Sequence, residues 1–303
     1  MSNLSQAFDN TCANQPCSGV KLIITPKQKD LGGFSVRRAL PVIEQRRVGP
    51  WIFFDHAGPA VFPPGEGIDV RPHPHINLAT VSYLFDGAIM HRDSLGNELA
   101  IVPGDINLMV AGSGIVHSER TPDDVRAAGH TLHLLQLWLA LPEADEETDP
   151  AFYHYAASEL PTTEVDGIPI RVMMGQAYGL TSPVKTFAQT LYFEADIASG
   201  RALEIPMEAE RAIYVAAGEI EINGQQVSEF SMAVLEPDCE VTVRASKDSR
   251  IAVIGGETLS DRHLFWNFVS SRKERLEQAK DDWKNGRFPK VPGDEEEFIP
   301  LPE

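Results

Sequence analysis

Two stretches of the chain, RPHPHINLATVSYLFDG (71–87) and AGSGIVHSER (111–120), each set two polar side chains one residue apart in apolar surroundings. The pairs are His73 with His75 and His117 with Glu119. In an extended strand, alternate side chains leave from the same face. Each pair therefore shares a face, and two such strands in one small barrel bring all four groups together if both faces point inward. Polar groups left unpaired in an apolar interior are costly, so a shared ligand is the natural reading. Three neutral imidazoles and one carboxylate suit Fe(II), Mn(II), Ni(II), Cu(II) or Zn(II), and suit Ca(II) or Mg(II) poorly. A divalent ion held by one anionic ligand keeps net positive charge, which favours an anionic chelating substrate such as a deprotonated enol or a catechol oxygen.

The elements that would position these residues read as strands. Short apolar runs bounded by Gly, Pro, Asp and Asn recur along the chain, among them ATVSYLF (79–85), INLMV (106–110), HLLQLWLAL (133–141), RAIYVAA (211–217) and IAVIGG (251–256). The 23 glycines and 22 prolines suit a fold with many tight turns. An internal repeat is visible. Tyr83, Gly87 and Ile89 precede Pro103 and Asp105 in the first half, as Tyr214, Gly218 and Ile220 precede Pro237 and Asp238 in the second. A repeat this long predicts two similar β-domains in tandem rather than a solenoid. The second half offers Glu219, Glu221 and Glu240 but no imidazole pair, so only the first domain is expected to hold a transition metal.

The expected organisation is an N-terminal arm (1–35), a first barrel with the metal site (36–145), a linker (146–166), a second barrel without one (167–258), and a C-terminal helix and acidic tail (259–303). Within VSSRKERLEQAKDDWKNGRF (269–288), Ser271 and Glu274 have capping-box spacing. Leu276, Ala279 and Trp283 form one helical stripe, and Gly286 is placed to end it. Among the other histidines, His91 is in reach of the ligands as a second layer. His133 is placed to orient a ligand, and His56, after WIFFD, to line a pocket. Surface or hydrogen-bonding roles are the default for His130, His154 and His263.

Composition sets the class. The chain has 303 residues, 43% of them hydrophobic, enough for one large domain or two ordinary ones. With 44 acidic against 26 basic residues the formal charge is −18. That balance repels phosphate backbones and anionic lipid, excluding nucleic-acid or membrane-surface binding by bulk charge. No apolar run approaches the roughly 20 residues of a membrane span, and the first residues lack a secretory pattern. Three cysteines, Cys12, Cys17 and Cys239, do not make a disulfide framework. They are read as bystander thiols in a reducing, cytoplasmic setting, with Cys12 and Cys17 in a poorly ordered polar arm.

The stretches RPHPHINLATVSYLFDGAIMHRDSLGN, VPGDINLMVAGSGIVHSE and LHLLQLWLALP resemble the pirin family, a branch of the cupins, over almost all of the chain beyond about residue 20. The resemblance implies an all-β fold of two tandem cupin (double-stranded β-helix, jelly-roll) barrels with a C-terminal helix and tail. It also implies a metal, typically iron, in the first barrel, with ligands on His73, His75, His117 and Glu119. Ala79 stands where the general cupin pattern has a further Glu, which leaves Glu119 to supply the carboxylate. Asn77 replaces a common Gly and Leu108 a common Trp; both are expected near the pocket. Family members are similar in function to two classes. One is quercetin 2,3-dioxygenases acting on flavonol-like phenols, in which Glu119 would accept the substrate's hydroxyl proton. The other is iron- and redox-responsive regulators that bind a transcription factor or metabolic enzyme, with the loop 91–98 and the acidic tail as partner surfaces.

Overall fold

The computed structural model describes residues 17–30 and 34–303. They form two β-barrels built to one plan, each a seven-stranded sheet facing a four-stranded one. In the first barrel the large sheet centres on the strands Leu78–Asp86, His130–Ala140 and Trp51–Phe62. Its small sheet runs Asp69–His75, Ile115–Arg120, Ile89–Asp93, Glu98–Ile101. In the second barrel the small sheet runs Ala202–Ile205, Val241–Ala245, Glu219–Ile222, Gln225–Ser228, which is the same order. The repeat read from Tyr83 and Tyr214 is thus a structural one. Its turn glycines explain themselves: Gly87 and Gly218 have φ of 88° and 85°, and a Cβ would sit 2.4 Å from the Thr131 carbonyl and 2.3 Å from the Asp248 carbonyl.

Register shows why one barrel is hollow and the other solid. In the first small sheet His73 lies opposite His117. At the matching place in the second, Leu203 lies opposite Val243 and Ile205 opposite Val241. Those four side chains are buried with Phe193, Ile213 and Val253 in an aliphatic core.

The barrels share a further core in which Trp51, Phe54 and Tyr83 pack with Tyr192 and Tyr214. Trp51 Nε1 donates across it to the Leu191 and Gly255 carbonyls, both at 3.1 Å. Leu108 belongs to this core and not to the pocket wall.

The ends of the chain depart from the sequence expectation. Part of the arm is the strand Val20–Ile24, which pairs with Met232–Leu235 and so extends the second barrel. That pairing brings Cys17 to Cys239, and the two form a disulfide. The reading of these cysteines as free thiols is therefore corrected, and the argument from them for a reducing, cytoplasmic setting falls with it; Cys12 lies outside the described residues. The stretch read as a linker carries Ala151–Tyr155, which pairs with Ile106–Val110 of the first barrel. The predicted capping box also does not form. Arg272 takes the N-cap of the helix Lys273–Lys284 without a side-chain cap. Ser271 instead gives its N–H and hydroxyl to Glu146, at 2.7 and 2.9 Å. The apolar stripe does what its spacing predicts: Leu276 and Ala279 are buried against Ile76 and Phe268, with Trp283 packed beside them. No described helix is long and apolar enough to cross a membrane.

Candidate metal centre

The paired strands Asp69–His75 and Ile115–Arg120 form one wall of a cavity of about 550 Å³ in the first barrel, and His73, His75, His117 and Glu119 all line it. Ring nitrogens of the three histidines lie within 4.8 Å of one another. Their ring centroids are 4.4 to 5.0 Å apart. Glu119 shares the cavity but stands outside that group. Between His117 and Glu119 the pairing with the His73 strand slips by one residue, so Glu119 faces Val70. On its other side Glu119 faces His91.

The three imidazoles are held as free bases. Burial pushes His73 down to about 4, and pushes His75 and His117 well below the usual imidazole range. His73 Nδ1 donates to the Arg71 carbonyl at 2.9 Å, which leaves the lone pair on Nε2. The Asn267 backbone hydrogen-bonds the His75 ring, whose Nδ1 has no partner among the described residues. Neither ring nitrogen of His117 has one. Buried polar atoms are almost always paired. Unpartnered ring nitrogens on His75 and His117, converging with the neutral ring of His73, fit a borderline divalent transition ion. Burial also raises the Glu119 carboxyl above its ordinary value, against the pull of nearby His91.

His91 lies beside His117 and outside the group of three imidazoles. Its ring centre is 5.3 Å from that of His117, its face stacks on Phe152, and its Nε2 is 3.1 Å from Asp93 Oδ2. Asp93 also accepts from the backbone N–H groups of Leu95 and Asn97, which folds the 91–98 loop back on itself. Three other expectations are corrected. His133 does not orient a ligand: its Nε2 lies 2.6 Å from that of His56, at the junction of the barrels, where His56 Nδ1 also meets the Tyr214 hydroxyl at 2.8 Å. His56 does not line the cavity either. Nor does Asn77, which is buried at φ 58°, a left-handed position that Asn adopts more readily than most residues with a side chain.

Sequence reasoning passed over the opposite wall. Arg38 binds Asp55 through two hydrogen bonds of 2.9 and 2.8 Å and lies over the ring of Phe53. Phe53 stacks on Trp138 at 4.0 Å, and Trp138 meets His75 edge to face. Two-residue alternation from Phe53 already places Asp55 on the same face, and a buried acid in the run WIFFDHA was the available signal. The cavity mouth is built by distant residues: Leu264, Trp266 and Asn267 from a C-terminal hairpin, and Ile299 from the tail.

Comparison with known proteins agrees with this geometry. Residues 33–139 match the family model described as Pirin, and residues 192–289 match the Pirin C-terminal cupin domain. The chain is 45% identical to a pirin-like protein of Caulobacter vibrioides over 94% of its own length and 100% of the relative's. It is similar to the crystal structure of quercetin 2,3-dioxygenase from Acinetobacter baumannii, with a TM-score of 0.86 and 35% identity, covering 93% of this chain and 95% of that one. A bacterial pirin of Escherichia coli, solved in complex with nickel(II), shares the fold at a TM-score of 0.62 and 20% identity, over 78% of this chain and 99% of that one.

Proposed function

The chain belongs to the pirin family, and from that premise we propose that it is a metal-dependent dioxygenase of the quercetin 2,3-dioxygenase type, acting on flavonol-like phenols. The observation that carries this reading is the set of three unprotonated, partly orphaned imidazoles on the wall of a cavity whose other side is a stacked aromatic pair. His73, His75 and His117 would hold the ion, with Glu119 as the carboxylate ligand. Iron(II) is the first assignment, and Mn, Ni, Cu and Zn suit the same donors. Such an ion, when bound, supplies a Lewis acid and a redox centre for reaction with O₂.

The protein's own groups account for the remaining requirements. The Phe53–Trp138 stack offers a flat apolar face to a planar phenolic ring. Glu119, its carboxyl raised by burial, is a stronger base than an exposed glutamate and accepts the phenol's hydroxyl proton on its carboxylate oxygen. Arg71 fixes which nitrogen of His73 carries the proton. Trp266 and Ile299 at the mouth keep bulk water from the substrate. The test is anaerobic loading with iron(II), followed by quercetin and O₂. Release of carbon monoxide with loss of the flavonol absorption band supports the reading, and iron-loaded protein that does neither overturns it.

A further inference from the structure

The junction between the barrels holds a second cavity, of about 450 Å³, far in character from the metal centre. Tyr83 and Phe85 line it from the first barrel; Ile170, Arg171, Glu194 and Arg250 line it from the second. Three features of its wall need an explanation. Glu194 is buried at 7% exposure, and Tyr192 donates a hydrogen bond to it at 3.0 Å, with Tyr83 hydrogen-bonded to it as well. Arg250 is already committed, forming two hydrogen bonds to Asp196 at 2.7 and 3.1 Å and lying over the Phe85 ring. Arg171 is not committed. It lies across the strand pair from Glu194, lines the cavity half-buried, and forms no hydrogen bond or ion pair through its guanidinium among the described residues.

We propose that this inter-barrel cavity is a second binding site, for a small aromatic monocarboxylate whose carboxylate pairs with Arg171. A free guanidinium presents a planar fork of N–H donors that matches a carboxylate at two points, and partial burial strengthens the pairing. The apolar surfaces of Phe85 and Pro169 receive a ring. One uncommitted cation sets the charge at one, because Glu194 and Asp196 on one neighbouring strand and Glu164 on the other also line the cavity and repel a dianion such as phosphate at neutral pH. Burial raises the Glu194 carboxyl to about 7, against the hydrogen bonds of Tyr192 and Tyr83 and the charge of Arg250, with Asp196 adding to the rise. An anion beside it therefore binds more tightly at pH 6 than at pH 8. The site shares no residue with the metal cavity, so this inference stands apart from the dioxygenase reading.

The experiment is calorimetric titration of the full-length protein with 4-hydroxybenzoate, and separately with inorganic phosphate. The expected result is a single saturable site for 4-hydroxybenzoate that phosphate does not compete for. Arg171→Gln should weaken it at least tenfold, and Arg171→Lys, which keeps the charge but not the fork, by less. His73→Ala/His117→Ala should leave it unchanged, and near-ultraviolet circular dichroism should confirm that each variant keeps its fold. No saturation at millimolar ligand, equal affinity in Arg171→Gln, displacement by phosphate, or loss of binding in the histidine variant would each overturn the proposal.

Discussion

His73 lies directly opposite His117 across two antiparallel strands, and their ring centres are 4.4 Å apart. The same register position in the second barrel holds Leu203 opposite Val243. One barrel has therefore kept a polar interior whose lone pairs lack partners, while its copy has filled with aliphatic side chains. His117→Ala should reduce bound metal from one equivalent to near none, measured by elemental analysis after loading with iron(II). It should also abolish the rise in melting temperature that metal gives the wild type, because binding to the folded state alone is what supplies that rise.

Glu119 stands apart from the imidazole group while lining the same cavity, so its two assigned roles can be separated. In Glu119→Gln the three imidazoles and an amide oxygen remain, so the metal should still bind, with affinity lowered by about 10–100-fold. Turnover of quercetin should fall by about 10²–10⁴, the range for removing a general base. Steady-state kinetics on protein of measured metal content checks both. A variant that keeps full turnover would remove the base.

The tail is tied to the ligand strand by one backbone bond, from Ile299 N–H to the Pro72 carbonyl at 2.9 Å, while Arg120 clamps Asp294 nearby through two more hydrogen bonds. Ile299→Pro removes the first link and leaves the clamp. A loss of about 1 kcal/mol of stability is expected, the net worth of one hydrogen bond. Faster amide exchange should follow in residues 71–75, read by hydrogen–deuterium exchange with mass spectrometry. Unchanged exchange there would mean that the tail does not brace the strand.

Glu194 makes stability depend on pH. Its carboxyl titrates at about 7 in the folded protein against a reference value of 4.5, so between those values the folded state holds a proton that the unfolded state has released. Stability from this group is therefore fully present below about pH 4.5, falls as pH rises towards 7, and levels off above it. The change amounts to about 3 kcal/mol. The buried, neutral His73, His75 and His117 add an opposite rise below about pH 6.5 in every variant. The test is therefore the difference between wild type and Glu194→Gln in denaturant titrations from pH 5 to 8, which should follow the Glu194 slope.

The two turn glycines give a test of the repeat itself. Gly87→Ala and Gly218→Ala each place a methyl group against a carbonyl at strongly positive φ. Each should cost about 1–3 kcal/mol. Near-equal losses in the two variants, from urea midpoints, would reflect the equivalence of the turns, and a neutral result in either would show that the turn there can relax.

Much of this was legible in the chain. Strand alternation put His73 with His75 and His117 with Glu119 on common faces, and the Tyr83 and Tyr214 motifs announced two copies of one barrel. The helical stripe of Leu276, Ala279 and Trp283 packs as its spacing requires. These are local signals, because side-chain direction in a strand or helix follows from backbone geometry over a few residues. Other features depend on which distant segments become neighbours, and no local period encodes that. The register slip between His117 and Glu119, the Arg38–Asp55 wall, the meeting of His133 with His56, the Cys17–Cys239 bond and the arrival of Ile299 at the cavity all arise from strand register and chain crossings. The residue types able to hold a metal are written in the sequence. Which of them converge, and which remain unpaired in the cavity, was decided by the packing of the sheets around them.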